Sequence, residues 1–440
     1  MIGTFDRSLE SSADGKRSIL CFPDEILELI FNYMRSTQEV PSSFLRTKLG
    51  KHDQSECPTN FEKGFRDIDK RALLLVCRRF FRLVQPTVNN IIYFPTKIDA
   101  DLAYTKTEEI KSYKYKHWVK GFRIGNPSWN RPLLEARCLS SLLLNFSSNL
   151  KVLRLEGTTI DSFLNPEFYN TTNKLNSLTF LELGSKFHVI DIDVLACAIE
   201  RCPNLRSIFL TVRNFLPLSS VRTDKPLESG TGLPMPPIFN ISIKFWDNSP
   251  ARISVLPGFF SSISKTLKLV RLDGHLGQGL SQALRPVAKT LVGLGLTNIL
   301  FRSERLFDLE MPALTTLEIG AQLGFLPHIQ WHLFSKLCCL ILHISPHILS
   351  SSITPLVNIY CLRHIVVMDC SNRSNKLQSA ESQAQFLLQC MFRFHSTLGQ
   401  SKPSLYCDLG SIREFVGDEG NDLKKWCDSN QISLDVVPRL

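Results

Sequence analysis

Leu150-Lys-Val-Leu153-Arg-Leu155-Glu156 is the stretch on which the fold turns. Its three leucines stand at the spacing LxxLxL, and the same apolar triplet returns at Leu178/Leu181/Leu183, Leu205/Ile208/Leu210, Ile238/Ile241/Ile243 and Leu267/Val270/Leu272. It continues at Leu291/Leu294/Leu296, Leu314/Leu317/Ile319, Leu337/Leu340/Leu342 and Leu362/Ile365/Val367. The steps between starts are 28, 27, 33, 29, 24, 23, 23 and 25 residues. Weaker copies, Val88/Ile91/Tyr93 and Val119/Phe122/Ile124, extend the series backwards at steps of 31. Alternate side chains of a strand point to opposite faces, so each triplet predicts a short strand whose second and third apolar residues face inward. The first apolar residue packs just ahead of the strand. A unit of this size buries its apolar face only against its neighbours, as in a repeat array.

Between triplets lie helical patterns, notably Asp191 to Arg201, which closes at Cys202-Pro203, and Leu280 to Thr290. Strand, helix, strand at this step length predicts an α/β fold with a parallel sheet lined on one side by helices. The period resembles that of leucine-rich repeats, nominally about 20–29 residues. That family places Asn or Cys three residues after the last triplet position, to satisfy backbone groups at the turn. Here Thr158, Lys186, Arg213, Trp246, His275, Ile299, Gln322, Ser345 and Cys370 stand there, so irregular turns are expected. The bland rival is a doubly wound sheet with coincidental spacing.

The longest step has its excess in Leu216 to Pro237, a Pro-, Gly- and Ser-rich surface loop. The solenoid is expected over 95–375. After it, 376–440 reads as a C-terminal α/β cap: a helix from Lys376 to Leu398, a strand at Leu405 to Leu409, a helix from Ser411 to Cys427 and a last strand, Ile432 to Val437. Residues 1–18 are a polar leader too poor in apolar groups to offset the entropy of ordering.

Two amphipathic pieces precede the repeats. In the first, Ile26, Leu29, Ile30, Tyr33 and Met34 follow Pro23-Asp24-Glu25 at helical spacing. In the second, Leu74, Leu75, Cys77, Phe80, Phe81 and Val84 cover more than one helix face before Pro86. So small a segment cannot bury that surface alone, and the apolar excess reads as a docking surface or as part of a larger core. The order and spacing of Phe22, Pro23, Glu25, Ile26, Ile30 and Phe31, then Val76, Cys77, Arg78, Phe80, Leu83, Val84 and Pro86, resemble an F-box. The resemblance covers about 30 residues in two pieces. It places a helical F-box module at 19–94, with an insertion at 35–69 where F-boxes have a short turn.

The resemblance implies a substrate receptor of a Skp-cullin-F-box ubiquitin ligase, with the repeats binding a target protein. By motif position it assigns adaptor contacts to Phe22, Pro23, Ile26, Leu29, Ile30, Leu75, Val76, Phe80, Leu83 and Val84. The irregular repeats and the insertion are most similar to fungal F-box proteins. A non-ligase repeat scaffold with a protein partner is the alternative.

Composition narrows the rest. The net charge of +10 permits an acidic partner without demanding one. Thirteen cysteines without a CxxC pair read as free, mostly buried thiols of a reducing compartment, cytoplasmic, nuclear or both. Met1 to Arg17 lacks the pattern of a secretory signal, and no run of eighteen apolar residues exists to span a bilayer. The Lys111 to Lys120 strip reads as a solvated face, so neither a nucleic-acid nor a membrane partner is expected.

Enzyme signatures fail one by one. Gly274-His-Leu-Gly277-Gln-Gly279 has the order GxxGxG, not a phosphate-binding fingerprint. The pairs His328/His332 and His343/His347 lack the HExxH glutamate, and Cys338-Cys339 lacks the gap of a zinc knuckle. No catalytic residue, metal or cofactor is therefore assigned; an enzyme with its site in the Gly274 to Gly279 loop is the remaining rival. What is left is surface. Strand positions that alternate with the buried ones form the expected concave face, and from them Arg154, Glu156, Glu182, Phe209, Lys244, Arg271, Asp273, His343 and Met368 are the candidate target contacts. Glu318, Ile341 and Val366 share that face.

Overall fold

The computed structural model describes residues 91–94, 120–124, most of 139–216, 234–299 and 309–344, and segments 364–369 and 404–408. Twelve strands form one sheet whose paired strands are all parallel, laid down in chain order except that a small pair stands apart. They are β1 (Ile91–Phe94), β2 (Gly121–Ile124), β3 (Val152–Glu156), β4 (Phe180–Gly184), β6 (Ser207–Val212), β8 (Asn240–Phe245), β9 (Leu269–Asp273), β10 (Gly293–Ile299), β11 (Thr316–Ala321), β12 (Cys339–Ile344), β13 (His364–Asp369) and β14 (Ser404–Asp408). The separate pair is β5 (Val189–Ile190) with β7 (Asn214–Phe215). Each of the nine triplets lies at a strand, and the two weaker copies supply β1 and β2. The sheet runs on into β14, within the segment read as a cap.

Parallel neighbours must be joined by a crossover, and here the crossovers carry short helices. These are α1 (Thr159–Phe163), α2 (Ile192–Ile199), α3 (Leu256–Ser262) and α4 (Leu280–Leu284), with 3₁₀ turns at Ile253–Val255 and Trp331–Leu333. α2 starts where Asp191 accepts hydrogen bonds from the backbone N–H of Asp193 (2.9 Å) and Val194 (3.4 Å), satisfying donors that a helix start leaves open. The helix expected over Leu280 to Thr290 stops at Leu284. Pro286 supplies no backbone N–H, so the chain continues as turns.

One continuous core fills the space between sheet and helices. Every residue of the first eight triplets lies in it, none more than 3 % exposed. Phe163 stacks near Phe168 at 5.0 Å, and Phe215 meets Phe245 edge-on at 5.7 Å.

The strands also line up at their N-terminal ends. The carbonyl of Lys151 accepts from the N–H groups of Thr179 and Phe180, that of Thr179 from Arg206 and Ser207, and the pattern repeats through Arg206, Phe239, Lys268, Val292 and Thr315. Thr179 and Thr315 donate their hydroxyls, and Cys338 its thiol, to the same carbonyls. One turn earlier, Ser177 donates to the Ser148 carbonyl and Asn204 to the Asn176 carbonyl, each at 2.6 Å. These bonds join repeats whose turn sequences lack the usual Asn. At the other end of the strands, Asn214 takes over part of that work, one place late, by accepting from the N–H of Arg252 at 2.8 Å.

Candidate functional site

The register places the candidate target contacts in two rows on the sheet face away from the helices. One row reads Arg154, Glu182, Phe209, Ser242, Arg271, Gly295, Glu318, Ile341 and Val366, and the other Glu156, Gly184, Thr211, Lys244, Asp273, Thr297, Gly320, His343 and Met368. From β3 to β9 this face is half-exposed. From β10 to β12 it closes: Gly293, Gly295, Thr297, Thr316, Glu318, Cys339 and Ile341 are all buried. Glu318 and Ile341, expected on an open surface, are therefore withdrawn from solvent, both at 0 % exposure.

The charged residues are brought together and answer one another. Arg154 Nε lies 2.8 Å from Glu156 and 3.3 Å from Glu182. Lys244 Nζ lies 3.7 Å from Asp273 and 5.5 Å from the centre of the Trp246 ring. Arg271 donates to Glu318 at 2.9 Å, two strands away. It can do so because Gly295, between them, has no side chain: a Cβ there would lie 3.0 Å from both Arg271 Cγ and Glu318 Oε2. Phe209 packs against Phe180 with ring centroids 5.0 Å apart. Among the described side chains of this face, three cations and four carboxylates thus pair off in three groups. The face offers fixed hydrogen-bonding groups and one aromatic pair.

His343 and Met368 face each other in register on β12 and β13. They lie far from Arg154: seven strand spacings of about 4.8 Å put roughly 34 Å of sheet between β3 and β12. A partner touching both must be a folded protein or a long peptide. The side chains of His343 and Met368 lie outside the described residues, as do all the adaptor contacts, Phe22, Pro23, Ile26, Leu29, Ile30, Leu75, Val76, Phe80, Leu83 and Val84.

One constellation escaped the sequence reading. Ser185 Oγ lies 2.6 Å from His188 Nδ1, and His188 Nε2 lies 2.8 Å from Asp161 Oδ1. Chemically this is the order of nucleophile, base and orienting acid. The exposure is wrong for catalysis, since Ser185 is buried and Asp161 is open to water. The group instead ties α1 to the turn after β4. Its signal in the sequence was Ser-x-x-His, too common to single out.

The glycine cluster has a structural account. Gly274 adopts φ 135°, and a Cβ there would sit 2.8 Å from Phe245 Cβ and 2.9 Å from its carbonyl oxygen. Gly279, at φ 100°, precedes α4, a helix of only 5 residues. Among the described residues no group of three His, Cys, Asp or Glu side chains is placed to hold a metal ion, and no helix is long and apolar enough to cross a membrane.

No protein-family model matches the chain. Over 127 residues, 27 % of the chain, it is 28 % identical to an F-box/FBD/LRR-repeat protein of Arabidopsis thaliana, of whose length the match spans 25 %. A long parallel α/β sheet of the leucine-rich-repeat type and a distant, partial similarity to an F-box/leucine-rich-repeat protein are what the chain has in common with known proteins.

Proposed function

We propose that the chain is the substrate-recognition subunit of a Skp-cullin-F-box ubiquitin ligase. A helical module at 19–94 docks the Skp-type adaptor, and the repeat sheet from β3 onward holds a target protein. The observation that carries this is the conjunction, in one chain, of two apolar stretches whose sequence spacing resembles an F-box with a twelve-strand parallel sheet. The partial similarity to a protein named for the same two features supports it. In this reading the chain performs no bond chemistry. It raises the effective concentration of target lysines beside a ubiquitin-loaded enzyme. The target contacts are Arg154, Glu156, Glu182, Phe209, Lys244, Arg271, Asp273, His343 and Met368. A repeat scaffold that binds its partner without the cullin is the second reading, favoured by the insertion at 35–69, which departs from the usual F-box.

Affinity purification of the whole chain, compared with a form lacking 19–90, tests the proposal. Adaptor and cullin are expected with the whole chain and lost on deletion, and ubiquitylated partners should accumulate only with the whole chain. Adaptor without cullin selects the scaffold; an adaptor that never co-purifies removes the ligase reading. Ile30→Asp and Val76→Asp should each abolish adaptor binding, because either leaves a charge in an apolar interface. Circular dichroism of the repeat region should not change in either variant.

A further inference from the structure

The Pro-, Gly- and Ser-rich loop ends in Pro234-Met235-Pro236-Pro237 and runs through Ile238-Phe239 into β8, a stretch that the proposed function leaves unused. Three of its residues hold it down. Pro236 and Ile238 are buried, and Met235 packs, partly buried, against the core. The other three, Pro234, Pro237 and Phe239, are exposed, Phe239 at 40 %. The backbone is stiff for local reasons: each proline ring sets its own φ at about −65° and drives the residue before it out of the helical region, so Met235 and Pro236 are extended. The Ile238 N–H then closes a tight turn onto the Pro236 carbonyl at 2.8 Å, and the Phe239 N–H donates to the Arg206 carbonyl at 2.8 Å. An extended proline-rich chain has three residues per turn and rises about 3.1 Å for each, which places Pro234 and Pro237 on one ridge roughly 9 Å apart. Phe239 emerges just past them, beyond the inward-pointing Ile238. Among the described residues, the carbonyls of Pro234, Met235 and Pro237 accept no backbone hydrogen bond.

We infer that this ridge is docked by a proline-recognising domain of a partner protein, of the WW type, whose groove is walled by two aromatic rings. Such a groove takes a proline edge that is already set in shape, so little conformational entropy is lost on binding. The open carbonyls accept from N–H and O–H donors of the groove's aromatic side chains. An apolar pocket beside the groove covers Phe239. A groove of the SH3 type fits less well, because it reads two x-Pro pairs together with a cation of the ligand. Pro236, which would belong to the second pair, is buried, and neither Thr231, three residues before Pro234, nor Phe239, two after Pro237, is a cation. The ridge lies ahead of β8, outside the two rows assigned to target binding, and its occupancy does not depend on the ligase reading.

The test is fluorescence anisotropy of a labelled WW domain titrated with the full chain, with and without an excess of proline-rich peptide. Saturable binding that the peptide displaces is expected, and it should change little as salt is raised, since the contacts are apolar. Pro237→Ala combined with Phe239→Ala should weaken it by about tenfold or more, and Pro234→Ala, farther from the strand, by about threefold. Val189→Ala combined with Leu216→Ala, exposed apolar residues at the β5–β7 pair, should leave it unchanged. Thermal melts of all these variants should match that of the parent, because every altered side chain is exposed. A free peptide of residues 231–241 should bind no more tightly than the chain, which holds the segment extended beforehand. Absence of displaceable binding, equal affinity in the Pro237 and Phe239 variant, binding by the free peptide but not by the chain, or tighter binding of an SH3 domain would overturn the proposal.

Discussion

Arg271 reaches Glu318 across a glycine, and the two ends of that bond sit in different surroundings. The Arg271 side chain is 33 % exposed and the Glu318 side chain 0 %. Removing one partner of a buried pair strands the other charge, at a cost of about 3–5 kcal/mol, reduced here because water reaches the arginine. Lys244 and Asp273 are closer to a surface pair, worth about 0–1 kcal/mol. Arg271→Ala is therefore expected to destabilise the chain by about 2 kcal/mol or more, and Lys244→Ala by under about 1 kcal/mol. Urea denaturation of the two variants checks the order. Other residues are quieter than their chemistry suggests. Burial pushes the Cys202 thiol up to about 12, so it stays protonated and unreactive at neutral pH.

At the scale of the element, the turn between β9 and α4 shows how a repeat changes direction without the family's usual Asn. Gly274 N–H donates to the Thr297 carbonyl at 3.0 Å, and the glycine's positive φ brings its Cα against Phe245, which in turn meets Phe215. Gly274→Ala must strain both the backbone and this contact. A loss of about 3 kcal/mol or more is expected, against about 1–2 kcal/mol for Gly279→Ala, whose Cβ would meet nothing but whose positive φ is strained for any side chain. Thermal melts of the two variants separate steric crowding from backbone strain. The strand starts are better supplied, since each ladder carbonyl takes two backbone donors and some a side-chain donor besides.

The described sheet is a stack in which each inner strand pairs with the repeats before and after it. In such an array stability is the sum of the units and their interfaces. Leu294, fully buried on β10, lies near the middle of the sheet. Leu294→Ala should cost about 2–5 kcal/mol. It should also divide unfolding into two steps, because a weakened central interface uncouples the repeats on either side. Denaturation followed by far-ultraviolet circular dichroism and tryptophan fluorescence would show two transitions, where a single shifted transition would mean that the stack unfolds as one unit.

The apolar spacing alone determined the strands, their order and which residues line the core, because a period of about 25 residues with LxxLxL leaves one way to bury each unit. Leu153 and Leu155 point inward for the same reason that Arg154 points out. The two N-terminal apolar patterns, Phe22 to Met34 and Arg71 to Pro86, lie outside the described residues, and their docking role is a proposal. Side-chain partners were decided by the tertiary structure. Arg271 and Glu318 stand 47 residues apart and Asp161 and His188 27 apart, distances along the chain at which no local rule pairs them.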